Sequence, residues 1–165
     1  MACQSNGLNE CEILYGVVAR GSYILASHSA KVGNFNDVAK DLLVKIEQQA
    51  RTSSSVPSKM TYKDGSYLYH YSRADIEGLI FLCITDDNFP RKHAFKFMDI
   101  LAKKLSEQFP HQLRTQLSTI PFSMNSEFEP VINAEIKRAN KDSTSSQSMV
   151  SFNYTTSYNE GIKMG

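Results

Sequence analysis

Apolar residues occupy every position from Leu79 to Ile84, and the polar Asp86-Asp87-Asn88 follows. A strand can carry an unbroken apolar run only if both of its faces are covered. Beyond Pro90, Ala94, Phe97, Met98, Leu101 and Leu105 fall on one stripe of a helix, which Pro110 ends. A central strand, a turn and an amphipathic helix folding back over a sheet are therefore expected between Gly78 and Leu105. Ile13 to Ala19 repeats the doubly apolar pattern and belongs beside that strand, with Tyr23 to Ser27 pairing back across Arg20-Gly21-Ser22.

The remaining elements are read the same way. Asn34 can cap a helix that has Asp37 in its first turn and runs to about Arg51. Its main stripe is read as Phe35, Val38, Leu42 and Ile46, with Ala39 and Leu43 to one side. Ser58 to Tyr62 and Tyr67 to Ser72 flank an Asp-Gly pair, which predicts a hairpin. Tyr67, Tyr69 and Tyr71 share one face of its second strand, and Leu68 and His70 share the other. A capping box of Ser126 and Glu129 opens a last helix whose core face is Phe128, Val131, Ile132 and Ile136. The predicted order is ββαβββαα: an α+β fold with a five-stranded, mostly antiparallel sheet, one helix on one face and two on the other. Three regions follow: a polar lead-in over 1–12, a globular domain over 13–140, and a Ser/Thr-rich tail over 141–165.

Composition removes several function classes. The formal net charge of +1 offers no clustered positive field for nucleic acid. The longest apolar runs fall far short of the roughly 20 residues of a membrane span, and the first residues lack a signal-peptide core. Cys3, Cys11 and Cys83 are odd in number and include no CxxC pair. They suit a reducing, cytosolic setting without a disulfide frame.

Candidate chemistry is sparse. Asp86 and Asp87 are read as acids at a helix N-terminus, where the dipole favours them, with Asn88 as a possible cap. His28, His70, His93 and His111 show no metal spacing, and His70 is read as a half-buried structural residue. Cys83 lies in an apolar run with no activating base in view. Lys103 and Lys104 are read as a solvated helix face. No catalytic residues, metal or cofactor are expected.

The segments ILYGVVARG, ILA, GNF, KMTYKDGSYLYHY, LCITDDNFPRKHAFKF and PFSMNSEF resemble, in this order, the longin domain of long vesicular R-SNAREs. Within them, Thr85, Asp86, Asp87, Phe89, Arg91, Ala94, Phe95 and Phe97 carry the TDD-x-F-x-R-x-x-AF-x-F pattern. The similarity spans Ile13 to about Asn140. It implies a profilin-like longin fold and a non-catalytic regulatory and sorting module. The implied partners are a SNARE motif, from the same chain or another, and adaptor or regulator peptides. The implied groove lies between the first helix and third strand, at Leu42, Leu43, Ile46, Met60 and Tyr62. The resemblance implies action on the cytosolic face of vesicle or endosomal membranes if an anchor is present.

Residues 141–165 hold no Arg and no heptad repeat, so this stretch is not expected to zipper into a four-helix fusion complex. Within it, SMVSFNYT alternates loosely and could lie along the groove in place of a SNARE segment, or remain unpacked. A different reading of the same fold is a structural subunit of a tethering or clathrin-adaptor assembly, burying its partner on helix faces.

Overall fold

The structure, a computed structural model, describes residues 11–53, 57–74, 78–110 and 120–142. Its elements run β1 (Ile13–Arg20), β2 (Tyr23–Ser29), α1 (Phe35–Thr52), β3 (Lys59–Asp64), β4 (Tyr67–Arg73), β5 (Leu79–Asp86) and α2 (Arg91–Gln108). A last helix, α3, spans 125–142. The strands form one sheet in the order β2-β1-β5-β4-β3, and every pairing is antiparallel. The two doubly apolar strands, β1 and β5, are neighbours and central, as their patterns require. Gly65 closes the β3–β4 hairpin at φ 64°, a conformation that costs glycine nothing.

The central strands send alternate residues to two cores. Tyr15, Val17, Ala19, Ile80, Leu82 and Ile84 meet α1 on one face. Val18, Leu79, Phe81 and Cys83 meet α2 and α3 on the other. Gly16 sets the closeness of the second layer: a side-chain carbon there would stand 3.0 Å from both Ile132 Cγ2 and Phe97 Cζ. The TDD-x-F pattern is largely architectural. Phe89, Ala94 and Phe97 are buried in the α2 core, with Phe95 packed against it.

Several local expectations are corrected. The buried stripe of α1 is Phe35, Ala39, Leu43 and Ile46, so the helix is rotated from the expected register and Leu43 is central. Both readings satisfy helical spacing, and only the shape of the sheet beneath distinguishes them. Pro90, not Asn88, is the α2 N-cap, and no acid lies in its first turn. Asp86 instead accepts the backbone N–H of Glu12 at 2.8 Å and of Asn88 at 3.1 Å, tying the chain entering β1 to the turn after β5. Burial raises its carboxyl pKa despite these bonds.

Glu129 does not close a capping box. Its carboxylate pairs with Nδ1 of His28 and anchors α3 to β2. Nor is Lys104 simply solvated: its Nζ lies 2.6 Å from the buried carboxylate of Glu135, clamping α2 to α3. Cys83 is free and fully buried, and burial pushes its thiol pKa far up. The expected lead-in before Cys11 and the tail after Asp142 lie outside the described residues.

Candidate peptide-binding groove

The two borders of the sheet are treated differently. At β2 the chain leading into α3 runs alongside: the N–H of Phe122 donates to Ile24 O at 2.7 Å and that of Met124 to Leu25 O at 3.0 Å. The Ser27 N–H donates to Asn125 Oδ1 at 3.0 Å. That border is closed. β3 is the other border, and among the described residues no backbone hydrogen bond from another segment reaches its outer flank. A bare strand flank is a template for a further strand.

An apolar ledge borders the open flank. Met60 and Tyr62 alternate on the α1 side of β3, opposite Tyr71 and Tyr69 of β4. Leu42, Met60, Tyr62 and Tyr69 are partly buried and pack against the α1 core. Beneath them the Tyr62 and Tyr71 rings lie 6.1 Å apart. Burial raises the hydroxyl pKa of Tyr71, and Tyr62 adds to the effect.

The five residues singled out from the sequence therefore meet in one region but play different parts. Leu43 is 0% exposed and Ile46 1%, so they form the floor of the ledge. Leu42, Met60 and Tyr62 form its accessible rim. Tyr69 joins that rim and was not singled out, although its place among alternating tyrosines marked the face on which it lies.

The opposite face of β3 looks toward α2. Thr61 Oγ1 lies 2.9 Å from His70 Nδ1, and His70 Nε2 lies 3.0 Å from Thr85 Oγ1. His70 was expected to be half-buried, but it is completely enclosed, with its ring edge-on to Phe95 at 5.8 Å. Burial lowers its pKa to about 4, with Arg91 adding to the effect, so the ring is neutral near pH 7. On the same side Lys59 reaches Asp99 and Lys63 reaches Asp87, each at 3.7 Å.

Elsewhere, a cavity of about 270 Å³ lies between α2 and α3, lined in part by His93, Phe97, Ile100 and Arg138. The buried acid at this cavity, Glu135, is already held by Lys104. Among the described residues no group of three or more His, Cys, Asp or Glu could hold a metal. No helix there is long and apolar enough to cross a membrane.

A five-stranded antiparallel sheet with one helix on one face and two on the other, closed at one border and, among the described residues, open at the other, defines a longin-type α+β module. The family model for the longin domain, described as a regulated-SNARE-like domain, matches residues 25–132, and the chain belongs to that family. It is 41% identical over 125 residues to vesicle-associated membrane protein 7 of Gallus gallus, covering 76% of this chain and 51% of that protein. The Homo sapiens vesicle-associated membrane protein 7 is 40% identical over the same length and shares. Vesicle-associated membrane protein 712 of Arabidopsis thaliana is 30% identical over 130 residues, 79% of this chain and 54% of that protein. The chain thus spans about half the length of the curated relatives it matches.

Proposed function

We propose that this chain is a non-catalytic regulatory and sorting domain of a SNARE-type vesicle-trafficking protein. It receives an extended segment along β3, beside α1. The segment is a SNARE motif, from its own protein or another, or the peptide of an adaptor or regulator. The observation that carries this reading is the flank of β3, which no described segment pairs, lying against the Leu42, Met60, Tyr62 and Tyr69 ledge. Such a border supplies main-chain hydrogen bonds for affinity and side-chain pockets for specificity. Family membership and the relatives' names support the trafficking context. The candidate catalytic groups support a binding role, because Asp86, His70 and Cys83 are each used in the architecture.

Regulation follows from occupancy. A segment held in the groove is withheld from fusion, and a competitor releases it in proportion to its differential affinity. The test is to titrate the isotope-labelled chain with a SNARE-motif peptide. Amide shifts and slowed hydrogen exchange are expected along β3, with side-chain shifts at Leu42, Met60, Tyr62 and Tyr69. Binding that leaves β3 undisturbed would overturn the reading.

A further inference from the structure

We infer that the segment received by β3 is a strand alternating apolar and acidic residues, with its apolar positions on the α1 side and its acids on the α2 side. This deepens the proposed groove and rests on it. The two sides of β3 differ in chemistry. Met60 and Tyr62 face the apolar ledge, whereas Lys59, Thr61 and Lys63 face α2. Thr61 bonds His70 there, and the two lysines reach α2 or the turn before it.

Both lysines remain open to solvent, at 49% and 64% exposure. Their partners Asp99 and Asp87 hold them only at 3.7 Å. Arg91 lies near enough to lower the pKa of His70 and adds a further cation on this side. An ammonium group has three donors, so each lysine can keep its aspartate and still accept a second carboxylate. Phe95, under the Lys59 ammonium at 5.7 Å, keeps that cation over the α2 ridge beside the flank where the added strand would lie.

A paired strand places one residue opposite each residue of β3. Opposite Lys59, Met60, Thr61, Tyr62 and Lys63 the complementary order is acid, apolar, small polar, apolar, acid. The pattern reads the same in either direction, so chemistry constrains face and register while leaving strand direction open. A slip by one residue would bring the acids to the apolar ledge and to Asp64, exposing the apolar residues. Lysines on a border strand repel basic strands and resist being desolvated by neutral ones, so the same residues that discourage aggregation select an acidic ligand.

The test uses the full chain and blocked nonapeptides whose central five residues are Glu-Val-Thr-Leu-Glu, Ser-Val-Thr-Leu-Ser or Lys-Val-Thr-Leu-Lys. A fourth peptide is the chain's own residues 148–156. At low salt the Glu peptide should bind about three- to tenfold more tightly than the Ser peptide, as expected for two cross-strand ion pairs, and the Lys peptide least tightly. The difference should shrink as salt is added. The double substitution K59E/K63E should reverse the order of the Glu and Lys peptides. The milder K59S, at one exposed position, should remove about half of the preference on a logarithmic scale. Equal binding of the Glu and Ser peptides, or binding of 148–156 as tight as the Glu peptide, overturns the acidic ligand while leaving the groove intact. Failure of all four peptides to shift any β3 amide overturns the groove itself.

Discussion

Nδ1 of His70 stands 2.9 Å from Oγ1 of Thr61, joining the border strand β3 to the interior of the sheet. The second ring nitrogen reaches Thr85 on β5, so a neutral imidazole bridges three strands by donating at one nitrogen and accepting at the other. Protonation would leave a buried cation and remove the accepting nitrogen.

Acid should therefore weaken the fold in a defined window. The folded pKa of about 4 lies below the ordinary 6.5. Between these values the unfolded chain takes up a proton that the folded chain refuses. The contribution is complete above about pH 6.5 and is lost as pH falls toward 4, amounting to on the order of 3 kcal/mol. His93 is shifted in the same direction by burial and by Lys96, so the comparison must be between parent and variant. Urea midpoints measured from pH 7.5 to 4.5 should fall more steeply for the parent than for H70Q.

Leu42 and Leu43 are adjacent in sequence and opposite in consequence. Leu43 fills the α1 core, so L43A should cost about 2–5 kcal/mol of stability. Leu42 lies on the rim. L42A should leave the fold within about 1 kcal/mol of the parent and weaken peptide binding by about 1–3 kcal/mol. Denaturation curves and titration calorimetry on the pair measure both effects. A groove affinity unchanged in L42A would remove that side chain from the binding surface.

Gly16 allows α2 and α3 to sit close to β1. With Ile132 and Phe97 each 3.0 Å from where a Cβ would stand, G16A should cost about 1–3 kcal/mol through overpacking. A thermal melt reads this directly, and F97L/G16A should recover part of the loss by vacating the ring position.

The Lys104–Glu135 clamp makes a graded prediction. Glu135 is 2% exposed and Lys104 40%, with Arg138 as a more distant second partner at 3.8 Å. K104M leaves a buried carboxylate poorly compensated and should cost about 1–3 kcal/mol. Replacing both residues, as K104M/E135L, should be less harmful than K104M alone. A double-mutant cycle by chemical denaturation gives the coupling.

The pattern of apolar positions determined the element order and the central place of β1 and β5, because a strand apolar on both faces has nowhere else to go. It also determined that Phe128, Ile132 and Ile136 face the core, since a single strong stripe leaves one orientation. Only the tertiary structure decided which of two overlapping stripes on α1 turns inward, making Leu43 floor and Leu42 rim. Helical spacing allowed both, and the choice depends on the side chains the sheet presents from below. Long-range pairing likewise assigned Glu129 to His28 and Lys104 to Glu135, because local spacing says nothing of partners on other elements. Only the structure shows that no described segment pairs the outer flank of β3. A strand's sequence can show that it is half polar, but whether its hydrogen-bonding edge is occupied depends on which segment folds beside it.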